Sequence, residues 1–249
     1  MKNFVKYVLQ NALGYQLYLN VFSRYKIKTL KADSKEKDFF AFMGQIHKEG
    51  DILDVGANIG IMTYHLAKRF PDRKVLAIEP MPENFSVLKS VVDRNGLKNV
   101  ELIPVAVGEK KETLEMVLPK NGKVKMQGLA HVVHESIDEW NDGDKIEVLC
   151  ERLDDIAGDR VIAGIKMDVE NFEYFALKGG ERMIIRDRPV IYLELWENKN
   201  RDLCFEFLRL KHYKIYIILD GQLVPFDPAS HKKQNFICKY EKERPVLLG

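Results

Sequence analysis

The sequence has few cysteines, no excess of either charge, no internal repeat and no long apolar run. Its three cysteines, Cys150, Cys204 and Cys238, share no C-x-x-C spacing, which argues against a disulfide framework or a structural zinc site. Such a pattern favours a reducing, cytoplasmic compartment. Lysine and arginine number 39 against 37 acidic residues, so the chain lacks the basic field that nucleic-acid partners require. With 46% hydrophobic and 31% charged residues, what remains is the composition of a globular protein.

The longest uncharged stretch, residues 7–23, is too polar to cross a membrane, and no small-residue cleavage site follows it. We therefore expect neither a transmembrane segment nor a signal peptide. Its apolar residues recur every four positions and predict one stripe of an amphipathic helix: Val5, Leu9, Leu13, Leu17 and Val21. We expect residues 1–36 to form a helical extension docked on the body of the protein. A homodimer contact, a lid over a site and a membrane-surface helix are the alternatives.

From residue 51 onward, short apolar runs alternate with segments of helical spacing. The predicted strands are residues 51–56, 74–79, 100–107, 164–169, 189–196, 213–219 and 234–240. This rhythm is typical of an α/β fold with a parallel sheet covered on both faces. Residues 109–152 interrupt it, and apolar residues at every second position there (Leu114, Met116, Leu118) predict a β-rich insert.

The most informative segment is the loop after the first predicted strand, DVGANIG at residues 54–60. Gly56 lets backbone approach a ligand closely, and Gly60 lets the next helix pack tightly on the strand. In the dinucleotide fingerprint G-x-G-x-x-G the middle glycine would stand at Asn58, and the Asp54 carboxylate would repel a pyrophosphate. A carboxylate at this point suits a ligand with positive charge, such as S-adenosylmethionine.

A second carboxylate supports the same ligand. Glu79 ends the second predicted strand, 19 residues after Gly60, where it can accept hydrogen bonds from both ribose hydroxyls. The ligand crevice of an open α/β sheet lies at the carboxyl ends of its strands. These residues favour S-adenosylmethionine, and an NAD-type oxidoreductase is the alternative from another class.

Seven separated motifs occur in order along the chain: DVGANIG at 54–60, IEP at 78–80, VELIPVAVG at 100–108, RLDDI at 152–156, IKMDVENFE at 165–173, LKGG at 177–180 and NF at 235–236. Together they resemble the FkbM family of S-adenosylmethionine-dependent methyltransferases, over residues 37–240. The resemblance implies the Rossmann-like class I methyltransferase fold, a seven-stranded, mostly parallel sheet whose last strand is antiparallel. It places the methyltransferase domain at residues 37–249. It also implies these cofactor-binding residues: Asp54, Gly56, Ala57, Asn58, Gly60, Glu79 and Ala106.

The chain departs from the family pattern at one position. The family usually has glycine where this sequence has Asn171. Asparagine is the non-glycine residue that best tolerates a left-handed backbone, so we expect the turn to survive. A different contact to the substrate at this point is a second consequence.

Three carboxylates are the candidate catalytic residues. Asp168 ends the predicted strand at 164–169, Glu170 follows on the turn, and Glu194 lies near the end of the next strand. Methyl transfer to an oxygen or an amide needs a group that removes a proton, or a metal ion. Asp168 or Glu170 would serve as base or orienting carboxylate. Alternatively, Asp168 and Glu194 bind a magnesium-like ion, as the matching strand ends do in catechol O-methyltransferases, or the carboxylates are structural caps.

No residue is assigned as a metal ligand. His131 and His134 in the insert are further candidates for proton transfer.

The leading functional hypothesis is O-methylation of a hydroxyl on a sugar, a glycan or a secondary metabolite. N-methylation of an amide or another nitrogen on a peptide is the alternative within the class. A non-catalytic, methyltransferase-like scaffold is the third hypothesis. The expected partners are accordingly a small-molecule, glycan or peptide acceptor and, through the N-terminal helix, a second copy of the chain.

Overall fold

Helices and strands alternate through the computed structural model, which describes residues 2–121, 124–135, 137 and 141–242. In chain order the helices are α1 (Lys2–Leu13), α2 (Tyr15–Thr29), α3 (Lys37–Gln45), α4 (Ile61–Arg69), α5 (Pro82–Arg94), α6 (Leu153–Ala157), α7 (Glu173–Gly179), α8 (Glu181–Asp187) and α9 (Lys199–Arg209). The strands are β1 (Asp51–Val55), β2 (Val75–Ile78), β3 (Val100–Ile103), β4 (Ala106–Val107), β5 (Glu112–Asn121), β6 (Val124–Lys125), β7 (His131–Val132), β8 (Gly143–Glu151), β9 (Ile162–Met167), β10 (Val190–Glu194), β11 (Tyr213–Leu219), β12 (Gln222–Pro225) and β13 (Asn235–Tyr240). Short 3₁₀ helices cover Leu30–Ala32, Ser34–Glu36 and Gln127–Leu129.

Among the described residues, the main sheet has the strand order β12-β11-β13-β10-β9-β1-β2-β3. The strands from β3 through β10 in this order pair in parallel, and β13 lies antiparallel between β10 and β11. Every residue of β2 and β9 is buried, because helices cover both faces of the sheet. The predicted mostly parallel sheet with an antiparallel last strand is confirmed.

Two details of the sheet differ from the prediction. The described residues contain eight strands in this sheet instead of seven, because β12 pairs with β11 across a turn in which Asp220 and Gly221 have positive φ. Pro225 ends β12 at the sheet edge, where its missing N–H disrupts no ladder. The predicted strand at 100–107 is two strands, since β4 leaves the main sheet and pairs with β8.

The described part of the insert is β-rich, as predicted. Strands β5 and β8 form an antiparallel pair of eight register positions, and β4, β6 and β7 join the same second sheet. Met116, Val132 and Val148 of this sheet pack against Met81 and Phe172 of the main body. The insert therefore covers one side of the crevice at the carboxyl ends of the central strands.

The N-terminal extension is two helices, because Gly14 with φ 74° separates α1 from α2. Tyr18 and Leu19 of α2 are buried against Ile59 and Val87. The predicted docking stripe is wrong in direction: Leu9, Leu13, Leu17 and Val21 are 38–53% exposed, and the side chain of Val5 lies outside the described part. The neighbouring stripe docks instead because it carries the larger aromatic surface. Within the described residues, no helix has the length and apolarity needed to cross a bilayer.

Candidate active site

The loop after β1 is held against two neighbouring strands. The N–H groups of Gly56 and Ala57 both donate to the carbonyl oxygen of Ile78, at 3.0 and 2.9 Å. Gly56 has φ 74°, and a Cβ built there would lie 1.9 Å from the carbonyl oxygen of Asp168. Position 56 therefore requires glycine for two reasons, the left-handed backbone and the contact with the end of β9.

Asn58 and Glu79 connect this loop to the end of β2. The N–H of Asn58 donates to Glu79 Oε2 at 2.8 Å, and Glu79 Oε1 accepts from Met81 N at 3.0 Å and Asn84 Nδ2 at 3.3 Å. Burial raises the pKa of Glu79 to about 7, although these three donors lower it. Glu79 is thus a buried, firmly oriented carboxylate at the rim of the crevice.

The structure places Asp54 differently from the expectation that it faces the ligand. Its carboxylate is fully buried beneath the loop, where Oδ2 accepts from Thr63 Oγ1 at 2.6 Å and Oδ1 lies 3.4 Å from Lys166 Nζ. It is not among the residues that line the crevice. These contacts connect β1 to α4 and β9, which is a structural role. Direct contact between Asp54 and a ligand stays a prediction.

Lys166 is a central residue of the site that sequence reasoning missed. It is the register partner of Asp54 on β9, it is buried, and its Nζ donates to the carbonyl oxygen of Gly56 at 2.7 Å. The same Nζ lies 4.0 Å from Asp168 Oδ2. Burial lowers the pKa of Lys166, but the carboxylates of Asp54 and Asp168 raise it more, so the net direction is upward. A lysine inside the apolar strand GIKMDV was the available signal, since lysine is almost never fully buried without a partner.

A cavity opens between this loop and the insert, and its lining combines apolar side chains with a few polar groups, as small-molecule sites do. Its polar wall holds Gly56, Asn58, Glu79, Pro80, Asn84, Asp168 and Glu170. Its apolar wall holds Ile78, Val105, Ala106, Val107, Met116, Ala130, Val132, Val169 and Phe172. Gly128 completes the lining.

The remaining predicted cofactor residues support this cavity in different ways. Ala106 lies in β4 and lines it directly. Ala57 is buried within the loop, and Gly60, with φ 79°, is the N-cap of α4. A Cβ at Gly60 would lie 2.8 Å from Leu88 Cδ1, so this glycine lets α4 approach α5.

The turn after β9 carries two consecutive left-handed residues, Glu170 at φ 50° and Asn171 at φ 73°. The expectation that Asn171 keeps the glycine-type turn is confirmed, and its Oδ1 accepts from Asn198 Nδ2 at 2.6 Å. Glu173, which sequence reasoning did not single out, stabilises the turn through hydrogen bonds to its side chain. Its buried carboxylate accepts from Val169 N at 3.0 Å and from Asn200 Nδ2 at 2.7 Å, and burial raises its pKa to about 7.

The charges of the three predicted catalytic carboxylates affect one another's pKa. Burial raises the pKa of Asp168, against the lowering effect of Lys166. Burial, then the charges of Asp168 and Glu194, raise the pKa of Glu170 to about 10. Asp168, then burial, raises the pKa of Glu194 to about 8. Asp168 and Glu170 line the cavity, whereas Glu194 lines a groove, and the catalytic roles of all three stay predictions.

Glu194 lines an open groove between the N-terminal extension and the start of β13. The other groove residues are Ser34, Lys35, Glu36, Asp38, Glu197, Lys232, Lys233, Gln234 and Asn235. Each of these lining residues is polar or charged. The groove is thus a hydrophilic surface with both signs of charge, and it includes the carboxylate of Glu194 at the end of β10.

Among the described residues, no group of three His, Cys, Asp or Glu side chains is arranged to hold a metal ion. His131 is buried, with Nδ1 2.8 Å from the carbonyl oxygen of Leu129 and Nε2 3.1 Å from Asn141 Oδ1. His134 packs against the rings of Phe172 and Phe175. These contacts lie within the insert for His131 and at the N-terminal end of α7 for His134.

Comparison with known proteins places this site in a family. Residues 54–214 match the family model described as the methyltransferase FkbM domain. Methyltransferase sdnD of Sordaria araneosa is 23% identical over 207 residues, which cover 70% of this chain and 79% of that protein. Methyltransferase 1 of Beauveria bassiana is 24% identical over 145 residues, 51% of this chain and 57% of that protein.

Among solved structures, methyltransferase FkbM from Methylobacillus flagellatus aligns with a TM-score of 0.53 at 19% identity. The alignment covers 79% of this chain and 45% of that one. At this level of identity the likeness concerns the fold alone. The chain spans little more than half the length of the Beauveria relative and less than half of the Methylobacillus chain.

Proposed function

This chain belongs to the FkbM methyltransferase family, and on that premise we propose that it transfers a methyl group from S-adenosylmethionine to a hydroxyl oxygen of a sugar, a glycan or a secondary metabolite. One observation carries the proposal: Asp168 lines a half-apolar cavity together with the oriented carboxylate of Glu79, Glu194 lines an entirely polar groove, and the charge of Asp168 is the largest cause of the raised pKa of Glu194. The cavity suits the cofactor, and the groove suits a hydrophilic acceptor.

The cavity residues fit S-adenosylmethionine by chemistry. Glu79 would hold the ribose hydroxyls, because a buried carboxylate is a strong acceptor for paired O–H donors. Residues such as Ile78, Ala106 and Phe172 would hold the adenine ring on the apolar wall. When bound, the cofactor supplies an electrophilic methyl group on a sulfonium. The carboxylate of Asp168, which also lines the cavity, favours that positive charge.

The proton of the acceptor hydroxyl is assigned to Asp168. With its pKa near 10, Glu170 stays protonated at neutral pH and donates a hydrogen bond instead of accepting a proton. Asp168 lines the cavity and lies 4.0 Å from the ammonium of Lys166, which favours its ionised form. Of the two carboxyl groups on the turn, Asp168 is therefore the base and Glu170 the orienting acid.

Calorimetry with S-adenosylhomocysteine tests the cofactor half of the proposal. We expect micromolar binding that Glu79→Ala weakens by about 10- to 100-fold, the usual effect of losing hydrogen bonds to a charged group. Glu101→Ala is the matched control, since Glu101 is 44% exposed on β3. Tighter binding of NADH than of S-adenosylhomocysteine would instead support an oxidoreductase and overturn the proposal.

Transfer of label from methyl-tritiated S-adenosylmethionine tests the acceptor half. The panel holds hydroxyl-rich sugars and glycans on one side and peptides with free amides on the other. We expect label in the hydroxyl-rich acceptors, lost in Asp168→Asn while S-adenosylhomocysteine still binds. Label in the peptides alone would replace O-methylation by N-methylation.

A further inference from the structure

The N-terminal extension has an unusual distribution of charge. Residues 1–32 contain six basic residues (Lys2, Lys6, Arg24, Lys26, Lys28 and Lys31) and no acidic residue. The first carboxylate in the chain, Asp33, is already paired with Lys26 at 2.8 Å. A protein of net charge +2 therefore carries a strongly positive segment at one end. Such a segment is attracted to a surface of negative charge.

The same segment exposes large apolar side chains. Of the ten large hydrophobic residues that are exposed in the described part of the chain, six lie on α1 and α2: Val8, Leu9, Leu13, Leu17, Val21 and Tyr25. They are 38–62% exposed. Exposed apolar residues that occur singly need no explanation, but a run confined to two consecutive helices marks an interaction surface.

On α2, the apolar and basic side chains share one face. Leu17, Val21 and Tyr25 are four residues apart and so lie one above the other, and Arg24 and Lys28 fall on the same exposed side. This combination of apolar and basic residues on one helix face is typical of helices that lie in the interface of a bilayer.

The opposite side of the extension is fixed to the protein. Gln10 exchanges two hydrogen bonds of 3.2 Å with the backbone of Lys125 in β6. Arg94 of α5 donates to Asn20 Oδ1 at 3.2 Å and to Ser23 Oγ at 2.8 Å. The exposed apolar face cannot turn inward without breaking these contacts, so its partner must come from outside the described structure.

We infer that the exposed face of α1 and α2 binds the surface of an anionic lipid bilayer. The apolar side chains enter the boundary between headgroups and acyl chains, and the basic side chains contact the headgroups. A second copy of the chain is a poorer partner, because a symmetric contact through this face would bring the same basic residues of both copies together.

Co-sedimentation of the full chain with phosphatidylcholine vesicles, with and without phosphatidylglycerol, tests this inference. We expect binding that requires phosphatidylglycerol and weakens at high salt. The triple variant Leu17→Ser, Val21→Ser, Tyr25→Ser should lose at least about tenfold in affinity, because it removes most of the apolar area that enters the bilayer. Arg24→Gln with Lys28→Gln should lose about tenfold or more, since each basic side chain near an anionic surface contributes roughly fivefold.

The matched control is Leu149→Ser with Leu210→Ser, which removes two side chains that are 63% and 71% exposed elsewhere on the surface. It should bind vesicles as the wild type does, and binding of S-adenosylhomocysteine by every variant checks the fold. Equal binding to neutral and anionic vesicles, or unchanged binding by the α2 variants, would overturn the inference. The inference would also be overturned if the wild type formed dimers in sedimentation equilibrium, the triple variant were monomeric, and neither protein bound vesicles.

Discussion

Replacing Lys166 by methionine removes the ammonium that connects the cofactor loop to two strand ends. Methionine keeps the length of the side chain, so packing within β9 changes little. The loss is electrostatic: Gly56 O loses a donor at 2.7 Å, and Asp54 loses a cation at 3.4 Å from Oδ1. Within the described residues, the fully buried Asp54 carboxylate then keeps its hydrogen bond from the hydroxyl of Thr63 and loses its ion pair.

The size of the effect follows from the burial of both partners. The side chains of Lys166 and Asp54 are 4% and 0% exposed, so solvent does not screen the pair. Removing one member of such a pair destabilises a protein by about 3–5 kcal/mol, because an uncompensated charge stays buried. Asp54→Asn in the Lys166→Met background removes that charge, and most of the lost stability should return.

Urea unfolding at neutral pH measures these free energies for the wild type, both single variants and the double variant. Lys178→Met is the matched control, since Lys178 forms a 33% exposed ion pair with Glu109, and exposed pairs contribute at most about 1 kcal/mol. Binding of S-adenosylhomocysteine should stay weak in the double variant, because Gly56 O still lacks its donor. The reasoning is refuted if Lys166→Met costs no more than Lys178→Met, or if the double variant is as unstable as the sum of the singles.

Three further predictions concern the cavity. Gly56→Ala should abolish binding of S-adenosylhomocysteine, because the added Cβ would lie 1.9 Å from the carbonyl oxygen of Asp168. The control Gly96→Ala also has positive φ but no atom within 4 Å of the added Cβ, so it should cost only about 1 kcal/mol of stability. Equal loss of binding in the two variants would contradict this prediction. Burial raises the pKa of Glu79 to about 7, so calorimetry should find that the affinity for S-adenosylhomocysteine falls by up to about tenfold per pH unit below that value. In Glu79→Gln the affinity should not change with pH over this range. The same pH dependence in both proteins would refute the assignment of Glu79 to cofactor binding. Carboxyl-selective NMR should find the pKa of Glu194 well above its ordinary value, and Asp168→Asn should lower it, because the charge of Asp168 is the largest cause of the shift. An unchanged pKa of Glu194 in that variant would show that the two carboxyl groups do not interact.

The sequence was sufficient to predict the order of the elements and the loop that begins the site. Those features depend on local patterns: an apolar run, a glycine with positive φ, and a carboxylate at a strand end. The position of Glu79 at the crevice follows from the rule that parallel strands end on the same side of the sheet. The left-handed Asn171 was predicted on the same local grounds, and its φ of 73° agrees.

The sequence was insufficient wherever two distant segments compete for one partner. Two stripes on the N-terminal helices are apolar, and only tertiary contact decides that Tyr18 and Leu19 are buried while Leu17 and Val21 stay exposed. The side chain of Asp54 was expected to reach a ligand, but a register partner 112 positions away on β9 holds it beneath the loop. Contacts of this kind depend on sheet register, which one sequence does not display.

Lys166 explains how an acidic site can exist before a positively charged ligand arrives. Asp54, Asp168 and Glu194 lie at or near the ends of three adjacent strands, and without a cation their mutual repulsion would raise the free energy of the folded state. The ammonium of Lys166 contributes the compensating charge from within the middle strand, where all three carboxylates raise its pKa. Because it binds Gly56 O rather than lining the cavity, it leaves Glu79, Asp168 and Glu170 facing the ligand space. One buried lysine thus stabilises the fold and positions the loop, while the negative charge at the cavity stays available for a cationic cofactor.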